Sequence, residues 1–266
     1  MTLIQANSRL VPDEEPEISA LLGKEMGRWM EVHTETEAVE VKRESPGYTI
    51  VARDLSSGKT ARFQAEKIMI AAGRTSNADL LKVEKSGIKT DDRGYIKVNE
   101  YFETSKKNVW AFGDAIGKKM FRHVANREAS LLWDNVGHDK RNAMDYRSAP
   151  HAVFSWPEIA SVGLTEEQAR QQFDTKELLV GKAKYSEVAR GEAMMEEESF
   201  AKAIVNRDGK ILGFHIIGPY ASMLIQEVIN AMANDMDIWS IGKAMHIHPA
   251  LPEVIVATFG NLQEMD

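Results

Sequence analysis

Two stretches of the chain hold side chains whose types and spacing suit chemistry. The first is His246-Ile247-His248-Pro249-Ala250-Leu251-Pro252-Glu253. An imidazole titrates near neutrality and can move a proton through one ring nitrogen while a carboxylate on the other fixes its tautomer. Pro249 suits the opening of a helix, which would set His248 at the N-terminal edge and Glu253 about one turn further on. The same spacing also fits a plain helix cap whose dipole Glu253 offsets. His246 and His248 alternate as a metal pair can, but a metal centre needs three or four ligands. No further cluster accompanies them, and no metal is expected.

The second stretch is Gly113-Asp114, which follows a strand-like run over residues 108–112. A carboxylate at the carboxyl end of a buried strand faces the crevice where α/β sheets bind ligands, and it accepts hydrogen bonds from ligand hydroxyls. Residues 115–120 then lead into a helix whose free N–H groups suit an anionic or electron-rich ligand atom. A cap or turn aspartate is the alternative.

The elements that must hold these residues follow from periodicity. Residues 14–30 place Ile18, Leu21, Leu22, Met26 and Trp29 near helical spacing behind Pro16. Three alternating runs, 32–42, 48–53 and 60–66, are separated by Ser45-Pro46-Gly47 and Ser56-Ser57-Gly58, predicting a β-meander. The apolar run 68–72 ending at Gly73 predicts a strand buried on both faces. A short helix over 78–85, a turn at Gly94 and a helix over 122–137 come next, and the polar stretch 138–148 reads as a linker. Beyond it lie strands over 151–155 and 176–185, a capping box at Thr165-Glu166-Glu167-Gln168, and a hairpin turned by Asn206-Arg207-Asp208-Gly209. A long helix over 221–234 presents Leu224, Ile225, Val228, Ile229 and Met232 as either core or a partner-facing surface, and short helices near Ile238 and Val254 finish the chain.

Composition narrows the chemistry. The 33 Lys and Arg against 40 Asp and Glu leave a net charge of −7, which argues against a nucleic-acid partner. No apolar run reaches a membrane span and residues 1–5 lack a signal-peptide pattern, so a cytoplasmic, non-membrane protein is expected. Cysteine is absent, so this chain offers no disulfide, thiolate nucleophile or redox dithiol. Neither G-x-G-x-x-G, a P-loop nor G-x-S-x-G occurs.

Four segments, in order, resemble the C-terminal part of the FAD-dependent pyridine nucleotide-disulfide oxidoreductases, most closely the dihydrolipoyl dehydrogenases. They are Ala71-Ala72-Gly73-Arg74-Thr75-Ser76-Asn77, Val109-Trp110-Ala111-Phe112-Gly113-Asp114, the run from Val153 through Pro157-Glu158-Ile159-Ala160 to Thr165, and His248-Pro249 through Glu253. The resemblance implies an α/β part followed by an α+β part. Residues 1–75 would be a partial NAD(P)-binding domain with a β-meander, 76–148 a central region contacting FAD, and 149–266 an interface domain with an antiparallel sheet, through which the family forms homodimers. It implies that Asp114 holds the FAD ribityl and pyrophosphate region, and that Met120, Phe121, Arg122 and His123 begin the helix beneath the flavin. Gly73 and Arg74 belong to the same cofactor-contacting set. It also implies that His248 is the acid–base residue toward a small thiol or disulfide substrate, oriented by Glu253.

The glycine loops for FAD and NAD(P) and the redox cysteine pair lie in the family's N-terminal half. This chain is therefore expected to be a fragment that retains no cofactor by itself and is inactive without that half. Gln5 stands where NAD-preferring members have an acidic residue, and Arg9 nearby could suit a 2′-phosphate, so coenzyme preference stays open. A mercuric reductase-like fragment and a non-catalytic dimerisation module are the alternatives.

Overall fold

The computed structural model describes residues 1–138 and 140–265 as two compact units, Met1–Met69 together with the chain from Arg147 onward, and Ile70–Tyr146. In the first unit, β1 (Thr2–Ile4), α1 (Pro16–Met26) and β2 (Glu31–His33) form a βαβ piece whose two strands pair in parallel. Pro16 occupies the first turn of α1, where its missing N–H costs nothing. The expected first run of the meander divides at Glu35, whose φ of 49° breaks the strand. The part before it pairs with β1. The part after it, β3 (Thr36–Glu44), forms an antiparallel sheet with β4 (Gly47–Asp54) and β5 (Thr60–Ala65).

The rest of this unit is a six-stranded antiparallel sheet, built from β6 (His151–Val153), β7 (Ile159–Gly163), β8 (Leu178–Lys184), β9 (Phe200–Asn206), β10 (Ile211–Ile217) and β11 (Gln263–Glu264). Its spatial order is β11-β8-β9-β10-β7-β6. Strand β7 falls inside the run from Pro157 to Thr165, and Gly163 faces Gly213 across the β7–β10 pair. A Cβ at Gly213 would overlap the Leu164 carbonyl oxygen, so the close approach of these strands requires glycine there. The capping box at Thr165 opens α4 (Glu166–Gln172), and α5 (Ala189–Ala193) follows β8.

The expected long helix is two, α6 (Ala221–Leu224) and α7 (Gln226–Ala233), followed by α8 (Ile238–Lys243) and α9 (Glu253–Gly260). Strand alternation sends Val162, Ala203, Phe214 and Ile216 to one face of the sheet, against Leu224, Ile225, Val228 and Ile255. That settles the choice left open for the helical stripe: Leu224, Ile225 and Val228 are buried in their own core, with Ile229 and Met232 packed against it. The opposite face, with Ile159, Phe200 and Ile217, packs on Leu10, Ile18, Leu21 and Leu22 around α1.

In the second unit, α2 (Ala78–Leu81) stops at Lys82, whose φ is 50°, and α3 (Arg122–Gly137) has the expected bounds. Two expected strands are absent. Residues 68–72 have no strand partner, and Met69 and Ile70 are exposed, so an apolar run without neighbours to share its hydrogen bonds stays irregular. Residues 108–112 make only an isolated bridge, Glu103 with Trp110, before a 3₁₀ turn at Gly113–Ile116. Among the described residues no helix is long and apolar enough to cross a membrane.

Candidate functional site

In the first unit the loop between α8 and α9 carries both histidines. Pro249 does not open a helix. The His248–Pro249 peptide is cis and α9 starts at Glu253 itself. Helical placement of Glu253 returns its carboxylate to the loop, where Oε1 lies 2.8 Å from His248 Nδ1 and Oε2 accepts a 2.9 Å hydrogen bond from the Ala250 N–H. The Ala250 bond, followed by the contact with His248, holds the Glu253 carboxyl below the usual glutamate range, so it is ionised at neutral pH. An ionised carboxylate only accepts, so Nδ1 of His248 donates, and in the neutral ring Nε2 presents its lone pair outward. The His248 side chain is 69% exposed, which leaves that nitrogen open to a substrate. His246 turns instead to Glu227 of α7, so the two histidines engage different carboxylates.

Gln5 and Arg9 also lie in this unit. The Gln5 backbone bonds to His33 and Thr36 at the end of β1, and its side-chain oxygen accepts from the Asn7 N–H. The Arg9 guanidinium donates to the carbonyls of Pro12 and Glu14 and so closes its own loop.

In the second unit, three of the other predicted residues, Arg74, Asp114 and Met120, line a cleft of about 500 Å³ together with Asn77, Tyr95 and Ala115 among others, whereas Gly73, Phe121, Arg122 and His123 are not in its lining. Arg74 Nη1 donates to Asp114 Oδ2 at 2.8 Å and to the Met120 carbonyl at 2.9 Å, joining the turn after Gly73 to the entrance of α3. Gly113 and Gly117 both take positive φ, and a Cβ at Gly117 would strike the Tyr95 ring, whose hydroxyl donates to the Arg74 carbonyl at 3.4 Å. Phe121 stacks on His123 with ring centroids 5.6 Å apart at the first turn of α3, where Arg122 reaches Asn126.

Sequence reasoning missed the support beneath this turn. Glu128, fully buried, accepts from the Gly113 N–H and from the Tyr146 hydroxyl, each at 2.6 Å. Burial, then the Glu128 carboxylate, pushes the Tyr146 phenol above its usual range, keeping it a donor. The available signal was a charge on the inner stripe of α3, between Val124 and Leu131. Asp114 is thus held in place by backbone anchored through Glu128. Its carboxylate, shared with Arg74, suits hydroxyl donors from a ligand in the cleft.

Residues 1–129 match the family described as pyridine nucleotide-disulphide oxidoreductase, and residues 149–259 match the dimerisation domain of the pyridine nucleotide-disulphide oxidoreductases. A dihydrolipoyl dehydrogenase of Synechocystis is 34% identical over 96% of this chain and 56% of its own length. A mycothione reductase of Mycobacterium tuberculosis is 38% identical over 86% of this chain and 49% of its own. The chain therefore spans about half the length of the curated relatives it matches. The fold is shared with LpdA from Mycobacterium tuberculosis, at a TM-score of 0.85 and 20% identity over 97% of this chain and 55% of that one. It is shared too with an HOCl-induced flavoprotein disulfide reductase of Escherichia coli, at 0.83 and 22% over 97% and 58%. With two family matches together covering most of its residues, the chain belongs to the pyridine nucleotide-disulphide oxidoreductases.

Proposed function

We propose that this chain is the C-terminal portion of a flavin-dependent NAD(P)H disulfide oxidoreductase of the dihydrolipoyl dehydrogenase type, contributing the acid–base histidine and part of the flavin site. The observation that carries the reading is the His248–Glu253 pair, with one nitrogen committed to a carboxylate and the other open. A thiol with an ordinary pKa near 8.5 is mostly protonated at neutral pH, whereas the thiolate is the form that attacks a disulfide. His248 Nε2 takes the thiol proton as the S–S bond exchanges and returns it to the departing thiolate in the reverse direction. Glu253 keeps the ring in one orientation.

The residues of the second unit fit a dinucleotide flavin: Asp114 for hydroxyl groups, Arg74 beside it, and Met120 to His123 at a helix start whose N–H groups suit electron-rich ring atoms. FAD would supply electron transfer between a nicotinamide cofactor and a disulfide. This chain contains no cysteine, so the disulfide comes from the N-terminal half, in the same or a separate polypeptide. Alone, the chain is expected to hold no stoichiometric FAD or NAD(P) and to be inactive. The interface domain, residues 149–266, makes the complete protein a homodimer. The 38% identity to a mycothione reductase favours that disulfide as a second substrate class.

The test is made on the full-length gene or by co-expression with the N-terminal half. His248→Gln should lower turnover with dihydrolipoamide, and with mycothione, by at least about 10²-fold, the scale of losing a general acid–base, with flavin content unchanged. Turnover near wild type at normal flavin loading would return His248 to the role of a helix-edge residue.

A further inference from the structure

The loop that carries His248 has almost nothing to hold it. From residue 242 to residue 249 every position but one is exposed, with Met245 fully so and Ile247 at 79%. A loop without buried apolar contacts samples many backbone states, and proton transfer requires a donor and acceptor placed within hydrogen-bond reach. Glu253 secures the downstream end through His248 Nδ1 and the Ala250 N–H. Upstream, the single inward residue is His246, whose side chain is 13% exposed.

Its two ring nitrogens are both engaged. Nδ1 lies 3.1 Å from the Ala244 carbonyl oxygen and Nε2 lies 2.9 Å from Glu227 Oε1 on α7. Both nitrogens thus face protein oxygen atoms, one on the loop itself and one on α7, so the ring is held from two sides. Neither nitrogen of His246 is left open toward a substrate. The two histidines of His246-Ile247-His248 thereby divide the work: one is fixed by both nitrogens and the other keeps a nitrogen open.

We infer that Glu227 and His246 are a positioning pair, which ties the upstream end of the loop to α7 and so sets where His248 presents Nε2. The inference deepens the reading of His248 as the acid–base group and rests on it. Neither Glu227 nor His246 touches the reacting atoms.

The 266-residue chain itself serves for the test, with ¹³C- and ¹⁵N-labelled histidine and its seven imidazoles assigned by single substitutions. In the wild type, His246 should show an Nε2–H hydrogen-bonded to Glu227, and His248 a single Nδ1–H form when neutral. In Glu227→Ala, His248 should lose that single Nδ1–H form and show mixed tautomers. Glu227→Gln, whose amide oxygen still accepts from Nε2–H, should retain it. The resonances of His215, buried in the sheet, report whether the fold survives. Should Glu227→Ala not fold, His246→Gln replaces it with the same expected loss at His248. An unchanged His248 tautomer in whichever of these variants folds overturns the inference. In the complete enzyme Glu227→Ala should lower kcat with KM and flavin content kept. An effect on the His248 tautomer together with a fully active His248→Gln would instead mark the acid–base reading as the one that failed.

Discussion

Lys202 Nζ lies 2.8 Å from Glu15 Oε2, with both side chains almost wholly buried between the six-stranded sheet and the start of α1. The pair belongs to a row that crosses five strands in register: His151, Ser161, His215, Lys202 and Lys182. Three carboxylates, Glu14, Glu15 and Glu17, cover it. Glu14 bonds His151 and Ser161, Glu15 bonds Lys202 and the Glu166 N–H, and Glu17 pairs with Lys182. Two lysines directly opposite on β8 and β9 would repel, and Glu15, Glu17 and Glu166 around Lys202 offset that. Removing one member of a buried pair leaves the other uncompensated, at a cost of roughly 3–5 kcal/mol. Lys202→Met leaves the buried Glu15 without a cation and removes one partner each from Glu17 and Glu166, so it should destabilise more than Glu15→Gln. Urea denaturation should show both losses, and a Lys202→Met,Glu15→Leu double variant should recover part of the larger one. Equal stability of Lys202→Met and wild type would mean that the row contributes nothing.

Acid should weaken the same docking in two stages. Burial presses His215 below its ordinary 6.5, against the opposing pull of its bond to the Leu164 carbonyl and of Glu15 and Glu14, while Lys202 adds to the depression. A histidine held neutral in the fold loses to an unfolded chain that protonates first, so stability declines as pH falls below about 6.5. Burial would raise Glu14, but His151, Ser161 and His215 outweigh it. Burial would likewise raise Glu166, and Lys202 and Arg170 outweigh it there. Both carboxyls end below 4.5, so their contribution is present above that value and is lost as pH drops further. Urea midpoints between pH 7.5 and 3.5 should fall in these two windows. His215→Asn should flatten the upper one, and an unaltered slope there would remove His215 from the account.

What could be read from the sequence was what local chemistry decides. The capping box at Thr165, the Asn206–Gly209 turn and helix α3 depend on neighbouring residues, and they stand as expected. The runs 68–72 and 108–112 failed because a strand exists only with partners, and apolar character alone names none. The row beneath Glu14 and Glu15 was out of reach for a related reason: register across five strands joins residues up to 54 positions apart in a direct pair, as His215 and Ser161 are joined by pairing rather than by spacing. His248 and Glu253 were legible because five positions and one helix start bring them together. Glu227, 19 positions from His246, was not.

The Asp114 carboxylate should govern flavin retention in the complete protein. It already shares Arg74 with the Met120 carbonyl, so a ligand hydroxyl meets an oriented acceptor. Asp114→Ala should lower the flavin absorbance per chain while leaving the acid–base step of the remaining loaded protein unaffected. Glu128→Gln should do so less, since its amide oxygen can still accept from the Gly113 N–H. Full flavin content in Asp114→Ala would take this residue out of the cofactor site.

Self-association should run through apolar side chains that the protein's own core leaves uncovered. The stripe Leu224, Ile225 and Val228 is excluded because it is buried against the sheet. Phe154 at 83%, Trp156 at 70%, Met223 at 72% and Tyr220 at 55% exposure belong to the matched dimerisation domain and remain open. Large exposed aromatic and methionine side chains of this kind mark contact surfaces, and permanent dimers often bury more than about 2,000 Å² in total. Sedimentation equilibrium at micromolar concentration should therefore give about twice 29.8 kDa. Trp156→Asp should shift the equilibrium to the single chain, because a carboxylate buried at an interface without a partner is expensive. Ser222 and Glu158 are bonded within the chain, so the backbone around Tyr220 and Met223 should survive that change and the circular dichroism spectrum should be retained. A wild-type chain that sediments as a monomer would remove the homodimer from the proposed function, and a Trp156→Asp variant that stays dimeric would place the interface elsewhere.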